Sequence, residues 1–70
     1  SYYQTILRPF LDANLDAILR NLGKDFDSND FITAFRLLFP NEYATALRRS
    51  GSYRAIHTWI CLLYTSPSPR

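Results

Sequence analysis

The chain has 70 residues, of which 47% are hydrophobic and 16% aromatic, and its formal net charge is +2. This length allows one small domain at most, and the apolar content excludes a disordered chain. The single cysteine excludes a disulfide framework, no apolar run approaches the ~18 residues of a membrane span, and the small net charge does not by itself imply a polyanionic partner.

The first predicted element is a long helix over about residues 2–22. Apolar residues recur along it at spacings of three and four, and this stripe comprises Tyr3, Leu7, Leu11, Leu15, Ile18 and Leu22. Pro9 lies within the stripe, and because proline removes a helical hydrogen-bond donor, we expect a bend near it. Gly23 follows the last apolar position and is the predicted C-cap.

The second predicted helix, over about residues 28–39, is expected to be the centre of the fold. Its polar residues form one line at helical spacing, namely Asn29, Thr33 and Arg36. Because its other sides are apolar, neighbouring elements must cover them. The large residues that we expect to be buried are Phe31, Phe35 and Leu38.

The start of this second helix carries the strongest local signals in the chain. Asp27 suits the N-cap, and Asp30 lies three residues later, where its charge favours the positive end of the helix. Phe26 and Phe31 flank the cap as a hydrophobic staple. A calcium loop is the alternative for these aspartates, but the glycine and the closing glutamate of such a loop are missing.

Two shorter helices are predicted to follow. Pro40 ends the second helix, and Asn41 can cap a third over about residues 42–49. Gly51 ends that helix, and Ser52 caps a fourth over about residues 53–63. The predicted fold is therefore all-α, a small bundle of four short helices with an irregular C-terminal tail.

No residue pattern in the chain indicates catalysis. His57 is the only histidine, and no second ligand lies at helical spacing from it, so we predict no metal site. Gly23 and Gly51 are the only glycines, which excludes a glycine-rich phosphate loop. We predict no catalytic residue, no cofactor and no small-molecule ligand, and therefore that the chain is not an enzyme.

Positive charge is concentrated in the second half of the chain. Residues 1–30 have three basic and five acidic side chains, a net charge of −2, whereas residues 31–60 have four arginines against Glu42 alone, a net charge of +3. An anionic partner is therefore expected to dock on the second half.

Residues 45–60 resemble a helix-turn-helix unit. In that motif a small residue is followed ten positions later by an apolar residue and three positions after that by another, and Ala46, Ile56 and Trp59 have this spacing. The glycine that usually lies four positions after the small residue is replaced here by Ser50, and Gly51 comes one position late.

The resemblance implies that the fourth helix enters the major groove of double-stranded DNA. Arg54 would contact a guanine edge, while Arg48 and Arg49 would neutralise phosphates. The remaining outward groups of the fourth helix would be Ser52, His57 and Thr58. The alternative is an ordinary helical hairpin with solvated arginines.

The last ten residues, Cys61–Arg70, read CLLYTSPSPR. This segment resembles the translation, in one reading frame, of an adapter used in transposase-based sequencing libraries. The resemblance implies a metagenomic gene cut near Ile60, so that residues 1–60 are one helical domain from a longer protein and residues 61–70 are an artefactual tail. A natural tail rich in proline and serine is the alternative.

Three classes of function follow from the sequence. The first is a DNA-binding module that uses the third and fourth predicted helices. The second is a module for protein–protein interaction or oligomerisation, and the third is a fragment of a larger enzyme, which recovery of the uncut gene would test. No membrane segment or signal peptide is visible, so the expected location is the cytoplasm.

Overall fold

A computed structural model describes residues 1–64, and every regular element in that part of the chain is helical. The elements are a π-helical turn at Tyr3–Leu7, α1 (Arg8–Ala13), α2 (Leu15–Leu19), α3 (Ser28–Leu38), α4 (Pro40–Ser50) and α5 (Tyr53–Tyr64). The predicted all-α fold is confirmed. The predicted irregular segment at residues 65–70 lies outside the described residues.

The helices are short compared with a lipid bilayer. The longest, α5, has 12 residues, which corresponds to roughly 18 Å at the rise of an α-helix, whereas the hydrocarbon core is about 30 Å thick. Within residues 1–64, no helix is both long enough and apolar enough to cross a membrane.

The single helix predicted over residues 2–22 is instead divided into three pieces. The chain stays helical through Pro9, and the turn before it is widened so that the Arg8 N–H donates to the Tyr3 carbonyl, five residues back. This wider turn accommodates a residue that has no N–H of its own. The α-helix is interrupted at Asn14, whose side-chain amide donates to the Phe10 carbonyl at 2.9 Å and competes with the backbone ladder.

The predicted C-cap at Gly23 is wrong, because α2 ends at Leu19. Beyond it, the Asn21 N–H donates to the Ile18 carbonyl and the Leu22 N–H to the Leu19 carbonyl, which are tighter, three-residue turns. In the described part of the chain, a positive φ angle occurs only at Gly51, so Gly23 does not adopt the left-handed conformation of a glycine cap.

The start of α3 has the predicted geometry. The Asp30 N–H donates to the Asp27 carboxylate at 2.9 Å, and the Asp27 N–H donates to the Asp30 carboxylate at 3.1 Å, which together form a capping box. The rings of Phe26 and Phe31 lie 6.4 Å apart, as expected for the staple. The aspartates at this position therefore satisfy backbone amides.

Replacing Asp27 with alanine is expected to lower the free energy of unfolding by about 1 kcal/mol, because it leaves amides at the start of α3 without an acceptor. Urea unfolding followed by circular dichroism would measure the change. Asp25→Ala is the matched control, since Asp25 is exposed and lies outside the capping box, and its effect should stay within about 0.5 kcal/mol. Equal effects of the two variants would contradict the capping role.

Only Phe39 separates α3 from α4. Steric contact with a proline ring disfavours helical geometry in the residue before it, and Phe39 lies outside the helical region, with φ −133° and ψ 66°. The predicted Asn41 cap is wrong: α4 begins at Pro40, which needs no N–H partner in the first turn. Pro40 thus ends one helix and begins the next.

The turn between α4 and α5 has the predicted caps. Gly51 has φ 86° and ψ −13°, a left-handed conformation, and its N–H donates to the Leu47 carbonyl at 2.9 Å. The Ser52 hydroxyl accepts a hydrogen bond from the Ala55 N–H at 3.2 Å, so Ser52 caps α5. Two residues therefore connect the two helices.

The core combines residues from all of the helices and from the π-helical turn. Its buried members are Leu7, Leu11, Ile18, Phe31, Ile32, Ala34, Phe35, Tyr43, Ala46, Ile56 and Ile60. Phe31 and Phe35 are buried as predicted, but the prediction for Leu38 is wrong, because 38% of that side chain is exposed. Leu37 beside it is 74% exposed. One side of α3 is therefore left uncovered.

Candidate nucleic-acid interface

The unit predicted to bind DNA comprises α4, the turn at Gly51 and Ser52, and α5. Arg48 and Arg49 lie in the last turn of α4 and are exposed. Arg54 and Thr58 are also exposed and lie four residues apart on α5, so they share one face of that helix. We call Arg48, Arg49 and Arg54 the basic corner.

The apolar positions of the helix-turn-helix resemblance hold this unit against the rest of the fold. Ala46 and Ile56 are fully buried. Trp59 is half-buried, and its ring stacks on that of Tyr3 with 5.0 Å between the centroids. The Tyr3 hydroxyl also donates to the Ser50 hydroxyl, which in turn donates to the Ala46 carbonyl at 2.6 Å. The π-helical turn therefore supports the end of α4.

The arginines at the end of α4 have neighbours that restrict their motion without neutralising them. The Arg49 guanidinium lies 5.3 Å from the centroid of the Tyr2 ring, a cation–π contact. Burial raises the pKa of the Tyr2 phenol above its ordinary value. Arg48 donates a long hydrogen bond of 3.5 Å to the Thr45 hydroxyl. Both cations remain exposed and available to an anion.

Two of the predicted contact residues are already engaged within the fold. Ser52 is the cap of α5. His57 is half-buried rather than fully outward, and its Nε2 shares a hydrogen bond of 2.6 Å with the Ser28 hydroxyl at the start of α3. The Tyr53 hydroxyl donates to the Asn29 amide oxygen at 3.0 Å. Ser52 therefore caps α5, while His57 and Tyr53 position α5 on α3.

Sequence reasoning missed the two residues of α3 that hold α5, Ser28 and Asn29. They lie 29 and 24 residues from their partners. Their partners, His57 and Tyr53, lie on a helix that the sequence predicts. No pattern of neighbouring residues, however, specifies which polar side chains of two helices form hydrogen bonds with each other. The only available signal was that Ser28 is a polar residue just after a predicted helix cap.

The charges around the unit are separated. The chain has no aspartate or glutamate from Tyr43 to Tyr64, so α5 has no acidic side chain. The only acidic side chain of α4 is Glu42, which lies in its first turn, at the opposite end from Arg48 and Arg49. Asp27 and Asp30 lie at the start of α3, next in sequence to Ser28 and Asn29, which His57 and Tyr53 contact. The surface that favours an anion is therefore the end of α4 and the Arg54–Thr58 face of α5.

The described residues contain no group of three or more His, Cys, Asp or Glu side chains that could hold a metal ion. Ser28 and His57 form a contact with the residue types of a nucleophile and a base. Among residues 1–64, no carboxylate hydrogen-bonds to His57 in the way that orients the histidine of a Ser–His–acid triad. This contact serves to join two helices.

No protein-family model, no curated protein and no solved structure matches this chain.

Proposed function

We propose that this chain is a small, non-enzymatic binding module that docks on double-stranded DNA through the basic corner. The observation that carries the proposal is the placement of three exposed arginines on the two sides of a two-residue turn, in a stretch that has no acidic residue from Tyr43 to Tyr64. Exposed cations of this kind attract the phosphate backbone of a duplex.

The exposure of each side chain supports a division of roles. Arg48 and Arg49 contact phosphates and set the orientation of the module. Arg54 and Thr58 share the exposed face of α5 and reach base edges in the major groove, where the Arg54 guanidinium can donate two hydrogen bonds to a guanine. Ser52 and His57 hold α5 in place through the contacts described above. We also propose that the protein is located in the cytoplasm, where it would meet DNA in a cell that has no nucleus.

Salt dependence tests the electrostatic part of this proposal. If three arginines each displace a phosphate counterion, the plot of log K against log salt concentration should have a slope of roughly −3. Fluorescence anisotropy with a labelled duplex of mixed sequence, titrated between 50 and 200 mM NaCl, would measure this slope. Absence of a salt-sensitive complex at the lowest concentration would reject DNA binding.

Replacing Arg54 with alanine is expected to weaken binding about tenfold or more, because it removes both a cation and the donors that read a guanine. Arg20→Ala is the matched control: it removes the same charge from an exposed position at the end of α2, away from the basic corner. The control should change the affinity less than twofold. Similar losses in both variants would show that only net charge matters and would contradict the assigned role of Arg54.

A helical module for protein–protein interaction is the second candidate, and a specific observation favours it. The uncovered side of α3 exposes 74% of Leu37 and 38% of Leu38. Exposed apolar surface of this kind is typical of a docking site. The two candidates use different surfaces, so one chain can serve both.

A further inference from the structure

The uncovered side of α3 forms one wall of a groove. The other wall is the irregular segment that follows α2, and the groove between them has a volume of about 300 Å³. We call it the leucine groove; its lining includes Leu22, Phe26, Leu37 and Leu38, with Asp25 and Asp30. It lies on a different face of α3 from Ser28, which contacts α5.

The groove exists because α2 is short. The helix ends at Leu19 and the chain continues to Asp27 without regular structure, so no helix within residues 1–64 covers this side of α3. Leu22 and Phe26 are half-buried, Leu38 is 38% exposed and Leu37 is 74% exposed. Single exposed leucines are common on protein surfaces, but several that line one concave site indicate a docking surface.

The charges at the groove select the chemistry of its occupant. Asp25 and Asp30 belong to the lining, both are exposed, and no lysine or arginine among the described residues lines the groove. The Asp30 carboxylate accepts one backbone hydrogen bond and retains lone pairs for another donor. An occupant with apolar and cationic groups side by side therefore matches the groove, whereas an acidic occupant is repelled.

We propose that the leucine groove binds an amphipathic helix of another protein, in which a leucine or isoleucine enters the groove and a lysine or arginine one helical turn away pairs with Asp25 or Asp30. A volume of about 300 Å³ lies at the lower end of the usual range for small-molecule pockets, so it suits one or two side chains of a helix. This inference does not depend on DNA binding.

A second copy of this chain presents the wrong chemistry for the groove. Its exposed leucine and isoleucine residues in the described part are Ile6, Leu19, Leu37, Leu38 and Leu62. None of these has a lysine or arginine three or four positions away, the spacing that places two side chains together on a helix. The groove is therefore assigned to a different protein.

Designed helical peptides test this assignment with the full 70-residue chain. The first peptide carries leucines at i, i+3 and i+7 with lysines one turn from them; the second replaces the lysines with glutamates, and the third replaces the leucines with alanines. Titrations followed by ¹⁵N–¹H NMR should show binding of the first peptide alone, with shifts concentrated on Leu22, Phe26, Leu37 and Leu38. Equal binding of the glutamate peptide would overturn the charge argument.

Variants of the chain locate the site. Leu37→Ser is expected to weaken binding of the leucine–lysine peptide about tenfold, and Asp25→Asn several-fold. Leu62→Ser is the matched control, since Leu62 is 68% exposed and belongs to α5 rather than to the groove; this variant should bind as the unaltered chain does. Binding that is insensitive to Leu37→Ser and Asp25→Asn would overturn the proposal.

Self-association of the chain and its variants is measured without peptide by analytical ultracentrifugation. The proposal expects a mass that does not depend on concentration in the absence of peptide. A mass that rises with concentration and returns to the monomer value in Leu37→Ser would assign the groove to a second copy and would overturn the proposal of a different partner.

Discussion

Replacing Phe35 with alanine is expected to unfold most of the molecules at 25 °C. Phe35 is fully buried in α3, and its ring lies 6.4 Å from that of Phe10 in α1 and 5.9 Å from that of Tyr43 in α4. Truncating a buried phenylalanine costs about 3–5 kcal/mol. A domain of this size has a total stability of only a few kcal/mol, so one substitution removes most of it.

Thermal and urea unfolding followed by far-ultraviolet circular dichroism would measure this effect. Leu37→Ala is the control, because Leu37 lies two residues away on the same helix and is 74% exposed. It should change the free energy of unfolding by less than about 0.5 kcal/mol. A Phe35→Ala variant that melts within a few degrees of the unaltered chain would contradict the position of α3 at the centre of the core.

The features that sequence reasoning predicted correctly are those decided by residues close together in the chain. The capping box of Asp27 and Asp30, the cap at Ser52 and the left-handed Gly51 each depend on contacts that span at most four residues. The burial of Phe31 follows from helical periodicity, since α3 has a strong apolar stripe.

The wrong helix boundaries come from residues that have two common roles. Pro40 ends the second helix as predicted, but proline also suits the first turn of a helix, and α4 begins at Pro40 itself rather than after a cap at Asn41. Glycine often ends helices, which predicts a cap at Gly23, but α2 ends four residues earlier, at Leu19, and tight turns follow it. Asn14 interrupts the helix, and its side-chain amide donates a hydrogen bond to the Phe10 carbonyl. The apolar stripe continues through this position, so the spacing of apolar residues gives no sign of the interruption.

The site required information that no local pattern contains. The exposure of Leu37 and Leu38 depends on the residue at which α2 ends and on the path of the segment that follows it. The contacts of Arg49 with Tyr2 and of His57 with Ser28 depend on the packing of elements that are distant in the sequence. The sequence could therefore predict the basic half of the chain, but not which of its polar groups are engaged within the fold.

The basic corner and the leucine groove attract opposite charges. The groove is lined by Asp25 and Asp30, whereas the arginines of the corner lie on α4 and α5. Salt weakens both interactions, so salt alone does not distinguish them. The variants Arg54→Ala and Leu37→Ser distinguish the two interactions, because each removes a side chain from one surface and leaves the other surface intact.

Tyr64 is expected to contribute substantially to stability, although it lies in the segment that resembles a translated adapter. Its ring stacks on that of buried Phe31 with 5.1 Å between the centroids, and its hydroxyl donates to the Asp12 carboxylate at 2.6 Å. From the aromatic contact and the hydrogen bond together, Tyr64→Ala should cost about 1–3 kcal/mol. Leu62→Ala, at a 68% exposed position in the same helix, should cost less than about 0.5 kcal/mol. Equal effects would mean that the end of α5 does not stabilise the fold.

Alkaline pH provides a separate measurement of the same contact. Burial and the hydrogen bond to Asp12 raise the pKa of the Tyr64 phenol above its ordinary value of 10.0. Above pH 10 the unfolded chain therefore loses this proton while the folded chain keeps it, so the stabilisation is fully present below pH 10 and declines as the pH rises above it. Urea unfolding at pH 8 and pH 11 should show a smaller loss of stability in Tyr64→Phe than in the unaltered chain, because phenylalanine keeps the stacked ring but has no proton to lose. If both proteins lose the same stability between these pH values, the Tyr64 phenol is not held in its neutral form by Asp12 and burial.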